Sequence, residues 1–462
     1  MSAPRFTPEE LHLATGGRWS GPPPRDVEGI STDTRTLAPG AAFVALAGES
    51  FDGHAFLADA ARAGAAAAVV AAGRLAEVPA GLPALAVEDT LAALGAIARH
   101  HRRRFPIPVV GVTGSNGKTT TREMIAAILA TRGPVLRTEG NLNNEVGVPL
   151  TMLRLGPEHR AAVIEMGMNH AGEIARLAAI AEPGVGVVTN ASAAHLHGLG
   201  TVDAVADAKA ELWRGLPPAG IAVAGLDDRR LLARAEKTGR RLVTFSARAD
   251  APADVVLLDV LHHGEDGLDF LLGIGTKEVR VRTPLVGRHN AVNAAAAAAA
   301  TLALGCTDRE IVAGLAAVRP VGRRLRLERL PSGALLVDDC YNANPASMAA
   351  ALATLRPLAG EGRILAALGD MLELGAEEEE AHRELGRQAA ATGLAALATF
   401  GPRSRHAHEA ALAAGQDASQ AFHTEDPAAL AAWVRERLRP GDVLLVKASR
   451  GMRLERLVEA LR

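Results

Sequence analysis

A glycine-rich loop between an apolar strand and a helical segment is the feature that most constrains how this chain can fold. The loop has the sequence Gly111-Val112-Thr113-Gly114-Ser115-Asn116-Gly117-Lys118-Thr119-Thr120. Glycines let a backbone wrap phosphate groups, and the N-terminus of the following helix offers free N–H donors. Lys118 adds a positive charge, and the Thr119 hydroxyl can reach Mg²⁺. The loop therefore predicts a nucleotide-phosphate site in an α/β domain.

The spacing of the glycines departs from the common P-loop pattern. That pattern has a glycine at the position of Val112, whereas this loop has glycines at 111, 114 and 117. A glycine-rich surface loop with an unrelated lysine is the other interpretation, and the strand–loop–helix context disfavours it. Kinases, ATPases and ligases all use such loops, so the loop alone leaves the reaction open.

The chain of 462 residues is long enough for about two to four domains of ordinary size. Apolar runs alternate with segments of helical spacing, which is typical of βαβ units and parallel sheets. We predict an α/β protein of three domains. These are a small α/β N-terminal domain over residues 1–88, a central P-loop-type ATP-binding domain with a parallel sheet over 89–317, and a C-terminal Rossmann-like α/β domain over 318–462.

Composition excludes several classes of protein. Lys and Arg total 50 against 52 Asp and Glu, and this net charge of -2 argues against a coat for nucleic acid or anionic membranes. Two cysteines cannot build a disulfide framework, and the longest apolar run, residues 294–304, is too short to span a bilayer. The first residues form no apolar signal segment. We expect a soluble cytoplasmic protein, and we expect a monomer that binds no nucleic acid.

Several polar residues follow or flank predicted elements of the central domain. Glu165 ends a predicted strand, where an acid can hold Mg²⁺, although an ordinary strand-end acid fits as well. His195 follows another predicted strand and is a candidate on the same ground. Asn290 and Asn293 are three residues apart near a helix start, so both amides can face a nucleotide base, or else cap and pack the helix.

Lys209 lies in a helix predicted over 202–212, among Asp203, Asp207 and Glu211. On its own this pattern indicates a solvated helix face with ordinary ion pairs.

Three further polar clusters follow predicted strands of the C-terminal domain, where open α/β sheets bind ligands. They occupy residues 338–345, 369–375 and 447–451. Two N-terminal segments, residues 31–35 and 51–54, offer hydroxyl groups and charged side chains, or serve as turns. The strand-end clusters predict a site that faces the nucleotide-binding domain.

Taken together, these motifs resemble those of the Mur ligases over nearly the whole chain. The matching segments extend from Ser31-Thr32-Asp33-Thr34-Arg35 to Lys447-Ala448-Ser449-Arg450, and the family's own phosphate loop has the shifted glycine spacing. Two segments, residues 141–149 and 339–345, resemble the branch that adds D-alanyl-D-alanine. The Asp-Asn-Pro-Arg signature of the branch that adds the third amino acid is absent from the sequence.

The resemblance implies an ATP- and Mg²⁺-dependent amide ligase of peptidoglycan synthesis. In that reaction ATP phosphorylates the terminal carboxylate of UDP-MurNAc-tripeptide, and the amine of D-Ala-D-Ala attacks the resulting acyl phosphate. The product is the UDP-MurNAc-pentapeptide precursor. Two alternatives stay open: another Mur-type or folylpolyglutamate-type amino-acid ligase, and a nucleotide-binding module without acyl chemistry.

The resemblance also implies roles for individual residues. Lys118, Lys209 and His195 are expected to act in catalysis, with Lys209 carbamylated by CO2. The metal ligands are expected to be Thr119, Glu165, His195 and Lys209. ATP is expected to contact Gly114, Ser115, Asn116, Gly117, Lys118, Thr119, Thr120, Asn290, Asn293, Arg323 and Asp339. The UDP substrate is expected at Ser31, Thr34, Arg35, Asn141, Asn143 and Asn144, and D-Ala-D-Ala at Asp370, Lys447, Ser449 and Arg450. Three domains that share one site imply domain closure during turnover.

Overall fold

The computed structural model describes residues 3–48, 51–192 and 199–462. In these residues the strands form one small N-terminal pair and three larger sheets, which have five, nine and six strands in chain order. Helices alternate with the strands along the chain, and the predicted α/β fold with three sheet-containing parts is confirmed.

The N-terminal sheet is built from short strands. Their order across the sheet is Arg18–Ser20, Ala84–Val87, Ala67–Ala71, Ala42–Val44 and Ile30–Ser31. Neighbouring strands are parallel except for the first pair. Arg5–Phe6 and Val27–Glu28 form the separate antiparallel pair. The α-helices of this part are Pro8–Thr15 and Leu57–Arg62.

A helix over Thr90–Arg102 follows the N-terminal sheet. Asp89 caps it, because the Asp89 carboxylate accepts hydrogen bonds from two N–H groups of the first turn. Its buried residues Leu94 and Ile97 belong to a hydrophobic cluster that also contains residues of the N-terminal and central sheets. The helix therefore joins these two parts through one continuous core.

The central sheet has nine strands and carries the phosphate loop. From one edge to the other the strands are Lys277–Thr283, Gly267–Ile274, Val255–Gly264, Arg241–Ser246, Ile221–Gly225, Val185–Val188, Val109–Thr113, Ala161–Glu165 and Val135–Arg137. In this order, every pair of neighbouring strands between Val255–Gly264 and Val135–Arg137 is parallel, as predicted.

The structure adds an antiparallel extension to the predicted parallel sheet. Val255–Gly264, Gly267–Ile274 and Lys277–Thr283 pair antiparallel, and Gly264 lies opposite Gly267 while Ile274 lies opposite Lys277. Each connection is therefore two residues long. A connection of that length can join antiparallel strands but not parallel strands, which need a long crossover.

Helices cover both faces of the central sheet. Successive residues of the strand Ala161–Glu165 alternate between two hydrophobic clusters, one on each face. One face is covered by Thr90–Arg102, Gly147–Met152, Glu173–Ala181, Val202–Arg214 and Arg229–Lys237. The other face is covered by Lys118–Leu129, Arg288–Ala303 and Asp308–Ala317.

The helix Arg288–Ala303 packs closely because its buried side chains are small. Residues 294–300 are all alanine and at most 1% exposed, and the helix contacts both the central sheet and the helix Lys118–Leu129. It has 16 residues. Across the described ranges, no helix combines the length and apolar character that crossing a bilayer requires.

The C-terminal sheet has six strands. Their order is Arg326–Arg329, Leu335–Asp338, Val443–Lys447, Ile364–Gly369, Ala396–Phe400 and Ala421–Thr424, and all pairs but the first are parallel. The α-helices are Pro345–Ala359, Glu378–Ala391, Arg405–Ala413, Pro427–Arg437 and Glu455–Leu461. The polar clusters at 338–345, 369–375 and 447–451 follow three adjacent parallel strands, so they share one edge of this sheet.

Gly314 lies where the helix Asp308–Ala317 contacts the helix Lys118–Leu129. A Cβ atom at Gly314 would collide with the backbone of Ile128. We expect Gly314→Ala to lower the free energy of unfolding by about 1–3 kcal/mol, although alanine favours helices. Calorimetric unfolding measures this loss. The control is Ala313→Gly, at an exposed position of the same helix, with a loss of about 1 kcal/mol or less. A Gly314→Ala protein of unchanged stability would contradict the predicted collision.

Candidate active site

A cleft of about 650 Å³ lies between the central and C-terminal sheets. Residues that follow strands of both sheets line it, as the strand-end clusters predict. Of the residues proposed from sequence, the cleft brings together Ser115, Asn116, Gly117, Lys118, Thr119, Thr120, Asn141, Asn143, Asn144, Glu165, Asn290, Asn293, Asp339 and Lys447.

The glycines shape the backbone of the phosphate loop. Gly114 and Gly117 have φ values of 151° and 79°, which glycine adopts far more readily than other residues. A Cβ atom at Gly117 would overlap the side chain of Asn293, so the loop lies directly against the helix Arg288–Ala303. No described side chain caps the helix Lys118–Leu129 at its start. Its first N–H groups are therefore available to an anion.

Lys118 folds back over the loop. Its Nζ donates hydrogen bonds to the carbonyl oxygens of Gly114 at 2.7 Å and Ser115 at 3.2 Å. Burial lowers the pKa of the Lys118 amine, while the nearby Glu165 carboxylate favours the charged form. A phosphate oxygen is a stronger acceptor than these carbonyl groups. Lys118 is thus placed to neutralise an anion held in the loop.

The Glu165 carboxylate is buried at the end of its strand. Its side chain is 3% exposed. Oε2 accepts a hydrogen bond from Thr119 Oγ1 at 2.9 Å, and Oε1 accepts one from Asn143 Nδ2 at 2.9 Å. Hydroxyl and carboxylate oxygens suit Mg²⁺, which keeps water and phosphate oxygens in its other positions. These two oxygen donors fit such an ion, and the residues described assemble no cluster of three or more His, Cys, Asp or Glu for a metal elsewhere.

Lys209 is buried, so the interpretation of a solvated helix face is wrong. Its exposure is 1%. The acids that suggested a charged face have other partners, because Asp203 and Asp207 pair with Arg234 and Glu211 accepts the N–H of Gly172. His195, the other predicted metal ligand of this region, lies outside the described residues.

Burial changes the chemistry of the Lys209 amine. It lowers the pKa of Lys209 well below its ordinary value, and the positive charge of Lys118 lowers that pKa further. A lowered pKa favours the neutral amine, which is the nucleophilic form of lysine. The structure therefore places a buried amine close enough to Lys118 for their charges to interact.

The amides of Asn290 and Asn293 form a chain that faces the cleft. Asn293 Nδ2 donates to Asn290 Oδ1 at 2.9 Å, and Asn290 Nδ2 donates to the carbonyl of Val286 at 2.7 Å. Gly287, not Asn290, is the N-cap residue of this helix. The capping interpretation is therefore wrong for Asn290.

The C-terminal sheet contributes an ion pair and a bridging amide. Lys447 Nζ donates to Asp339 Oδ2 at 2.6 Å and to the carbonyl of Asn342 at 2.9 Å. Asn344 caps the helix Pro345–Ala359, and its Nδ2 also donates to Asn116 Oδ1 at 2.8 Å. This last bond joins the phosphate loop directly to the C-terminal part.

Arg323, predicted to approach ATP, lies away from the cleft. Its guanidinium nitrogens are 3.2 Å from Asp338 and 3.3 Å from Glu459. The next residue, Arg324, lines the cleft and lies over the ring of Tyr341, with 4.2 Å from the guanidinium carbon to the ring centroid. Two adjacent arginines fit the same sequence pattern, and their orientation depends on backbone geometry that the pattern does not contain.

Three residues predicted on the D-Ala-D-Ala side do not line the cleft. Asp370 is fully buried and accepts hydrogen bonds from the N–H of Ser404 at 2.8 Å and from its hydroxyl at 2.5 Å. Ser449 Oγ accepts the N–H of Leu372 at 2.9 Å. Arg450 lies 5.5 Å from the ring centroid of Tyr341, and that ring does line the cleft. Asp370 and Ser449 are thus occupied in holding the strand ends together.

The predicted uridine-nucleotide residues Ser31, Thr34 and Arg35 lie in the N-terminal part, outside this cleft. Arg35 Nη2 is 2.6 Å from Asp33 Oδ2, and hydrogen bonds from Arg35 lower the pKa of Asp33 to about 2. The Arg35 side chain remains 87% exposed. Its guanidinium is therefore accessible to an anionic substrate.

Sequence reasoning missed residues that hold the phosphate loop from the side. Asn190 Oδ1 accepts the N–H of Asn116 at 2.9 Å, and Ser192 Oγ accepts from Asn116 Nδ2 at 3.0 Å. Both follow the strand Val185–Val188. Their position after a buried strand, which Glu165 shares, is the sequence signal that marks them.

The fold and the cleft define a class: an α/β nucleotide-binding protein whose phosphate loop faces a second sheet across one cleft. Three family models match the chain. They are the Mur ligase middle domain over residues 112–301, the glutamate ligase domain of Mur ligases over 323–450, and the catalytic domain of the Mur ligase family over 26–102. The chain belongs to the Mur ligase family.

Known relatives and solved structures resemble the chain over nearly its full length. The UDP-N-acetylmuramoyl-tripeptide–D-alanyl-D-alanine ligase of Escherichia coli (strain K12) is 43% identical over 94% of both chains. The Bacillus subtilis (strain 168) protein of that name is 38% identical over 94% of this chain and 93% of its own. A crystal structure of MurF from Acinetobacter baumannii is 33% identical with a TM-score of 0.90, and the match covers 100% of this chain and 99% of that one. The crystal structure of MurF ligase from Thermotoga maritima in complex with ADP is 30% identical with a TM-score of 0.82, and the match covers 94% of this chain and 96% of that one.

His289, next to Asn290, gives the site a dependence on pH. Burial lowers the pKa of His289 to about 4, with Asp339 opposing the shift and Lys447 and His263 adding to it. The unfolded chain, in which the pKa is about 6.5, binds this proton more readily. The free energy of unfolding is therefore at its full value above about pH 6.5. As the pH falls from there towards 4, protonation of His289 in the unfolded chain lowers this free energy by about 1.4 kcal/mol per pH unit.

Urea unfolding at pH 6.5 and pH 5.5 measures this contribution. We expect His289→Gln to lose less stability on acidification than the unchanged protein, by about 1 kcal/mol. His262→Gln, at a side chain that is 55% exposed, is the matched control and should keep the full loss. An equal loss in the His289→Gln protein would contradict the assignment.

Proposed function

We propose that this chain is the ATP-dependent ligase that joins D-alanyl-D-alanine to UDP-MurNAc-tripeptide and forms the UDP-MurNAc-pentapeptide precursor of peptidoglycan. Relatives named for this reaction are 38% and 43% identical to it over most of its length. The observation that carries the proposal is one cleft in which the phosphate loop and Glu165 face Asp339 and Lys447. A cleft closed from two sides suits a reaction that aligns ATP, a carboxylate and an amine away from water.

In the first step, an oxygen of the terminal carboxylate of the tripeptide attacks the γ-phosphorus of ATP, and ADP leaves. The first N–H groups of the helix Lys118–Leu129 bind the phosphates, and Lys118 neutralises the phosphoryl oxygens. Thr119 and Glu165 hold Mg²⁺, which supplies further positive charge to the phosphates when bound. Asn290 and Asn293 contact adenine.

The ribose and phosphates are approached from the C-terminal part. Asp339 contacts the ribose, and Arg324 rather than Arg323 is oriented towards the cleft for this role.

In the second step, the amine nitrogen of D-Ala-D-Ala attacks the carbonyl carbon of the acyl phosphate. A tetrahedral intermediate forms, the C–O bond to phosphate breaks, and the nitrogen loses a proton as the amide forms. Lys447, fixed by Asp339 at 2.6 Å, offers a positive charge at the wall of the cleft, and the Arg450 guanidinium lies 5.5 Å from the ring centroid of Tyr341. Asp370 and Ser449 support these groups by holding the strand ends.

The remaining substrate extends beyond the cleft. The uridine nucleotide contacts Ser31, Thr34 and Arg35, and the muramoyl portion contacts Asn141, Asn143 and Asn144. The division into residues 1–88, 89–317 and 318–462 then assigns one reactant to each domain, with closure during turnover. We expect a monomer that works in the cytoplasm, where ATP and UDP-linked precursors are present.

Phosphate release with ATP, Mg²⁺ and UDP-MurNAc-tripeptide, with and without D-Ala-D-Ala, tests the proposed function. We expect release that depends on both substrates, and mass spectrometry should detect the pentapeptide nucleotide. Turnover with a single amino acid such as glutamate would place the chain in another branch of the family. ATP hydrolysis that ignores every amine would contradict a ligase.

Lys118→Ala separates the two binding regions. We expect phosphate release to fall by about a hundredfold or more, because the charge on the transferring phosphoryl group is no longer neutralised. Binding of UDP-MurNAc-tripeptide, measured by calorimetry, should be retained, since Ser31, Thr34 and Arg35 lie outside the cleft. Loss of both properties would show that this separation is incorrect.

We propose that Lys209 is carbamylated. The nitrogen of its neutral amine forms a bond to the carbon of CO2 and loses one proton, so an uncharged amine becomes an anionic carbamate. The burial and the lowered pKa of Lys209 support this, because the reaction needs a neutral amine.

Lys209→Arg keeps a basic side chain but forms no stable carbamate. We expect a loss of phosphate release of about a hundredfold or more, and no carbamate signal in ¹³C NMR with ¹³C-bicarbonate. Lys237→Arg, at an exposed lysine, is the control and should keep both phosphate release and the carbamate signal. A carbamate signal that survives in Lys209→Arg would assign the modification elsewhere.

A further inference from the structure

Arg122 is buried beside the proposed Mg²⁺ ligand, and the reaction steps above do not use it. Its side chain is 1% exposed, and Nη1 donates to Glu165 Oε2 at 2.9 Å. Nη2 donates to Glu123 Oε1 at 2.5 Å, and Glu123 also pairs with the half-exposed Arg137 at 3.1 Å. A buried guanidinium is costly unless it is paired, so this arrangement requires a compensating set of partners.

Arg122 and Thr119 reach the same carboxylate oxygen from one helix face. They are three residues apart in the helix Lys118–Leu129, a spacing that places side chains side by side. Thr119 Oγ1 and Arg122 Nη1 both lie 2.9 Å from Glu165 Oε2, and Asn143 Nδ2 lies 2.9 Å from Oε1. Both oxygens of Glu165 thus already have donors from this chain.

Building on the proposed Mg²⁺ site at Thr119 and Glu165, we propose that Arg122 is a positioning residue that makes Glu165 a weak ligand for a free divalent cation. The guanidinium holds the carboxylate in one orientation, and its positive charge repels a dication at the same oxygen. Nucleotide phosphates bring negative charge that offsets this repulsion. The site therefore takes up its metal together with the nucleotide rather than before it.

The geometry explains why this effect should be strong. The guanidinium and the carboxylate are both nearly inaccessible to water, so solvent screens their charges little. The half-buried Lys118 adds a second positive charge that interacts with the Glu165 carboxylate. Glu123 is occupied by Arg137 as well, so it neutralises Arg122 incompletely.

Titration of the full-length protein with Mn²⁺, followed by electron paramagnetic resonance of the free ion, tests the inference. The titration is made without nucleotide and with saturating ADP. We expect weak Mn²⁺ binding without ADP and strong binding with it. Arg122→Met should bind Mn²⁺ alone roughly tenfold or more tightly than the unchanged protein, with a clearly smaller gain in the presence of ADP.

Three further variants locate the effect. Arg122→Lys keeps a positive charge and should retain weak binding of Mn²⁺ alone. Glu123→Gln keeps Arg122 but removes its outer partner, and it should show no gain. Glu165→Gln added to Arg122→Met should abolish the gained binding, because the ion loses its carboxylate.

An Arg122→Met protein that is folded by circular dichroism and binds Mn²⁺ alone no more tightly than the unchanged protein would overturn the inference. A purely structural role for Arg122 predicts that result, because the substitution would then only lower stability and disorder Glu165. If Arg122→Met does not fold, Arg122→Met/Glu123→Gln replaces it, because this double variant removes the other carboxylate that Arg122 pairs with.

The same titration separates this inference from the proposed function. If the unchanged protein binds no Mn²⁺ even with ADP, the metal site at Glu165 is wrong and the inference is overturned with it. If Mn²⁺ binds with ADP but substitution of Arg122 has no effect on binding of Mn²⁺ alone, the ligase proposal stands and the role of Arg122 is overturned.

Discussion

The parallel register of three neighbouring strands positions the whole site. Val109–Thr113 lies between Ala161–Glu165 and Val185–Val188, with Val112 opposite Glu165 and Thr113 opposite Val188. Parallel strands end at the same edge of a sheet, so the phosphate loop, Glu165 and the residues after Val188 must lie together. A shift of one residue would turn Glu165 to the opposite face of the sheet. The contacts among loop, carboxylate and Asn190 all depend on this register.

Three basic side chains, Lys118, Arg122 and Lys209, lie around the loop, and the protein accommodates each one differently. Arg122 and Lys209 are each 1% exposed, whereas Lys118 is half-buried. Lys118 donates to carbonyl oxygens of its own loop, and Arg122 pairs with two carboxylates. Burial lowers the pKa of Lys209 well below its ordinary value, which favours the uncharged amine. Burying charge is unfavourable without compensation. The region is thus electrically suited to a polyanionic ligand, and the bond from Asn344 to Asn116 brings the C-terminal sheet to the same place.

Much of this could be predicted from the sequence, because buried parallel strands appear as short apolar runs and the loop has a specific composition. The orientation of single side chains could not. Charged neighbours made Lys209 look solvated, yet Asp203 and Asp207 turn towards Arg234 in a different helix. Arg323 and Arg324 are equivalent in pattern. Asp370 follows a strand as a ligand-binding residue would, yet its two carboxylate oxygens accept hydrogen bonds from Ser404 and Arg403. Such outcomes depend on tertiary contacts that no local spacing encodes.

The alanine layer of the helix Arg288–Ala303 has a consequence for how this site can diversify. Residues 294–300 leave no space for larger side chains and no room for the helix to slide along the sheet. Asn290 and Asn293, in its first two turns, are therefore held at a fixed height beside the phosphate loop. If these two amides contact adenine as proposed above, selection can exchange them and so alter which nucleobase is preferred, while the distance from base to phosphates is inherited unchanged.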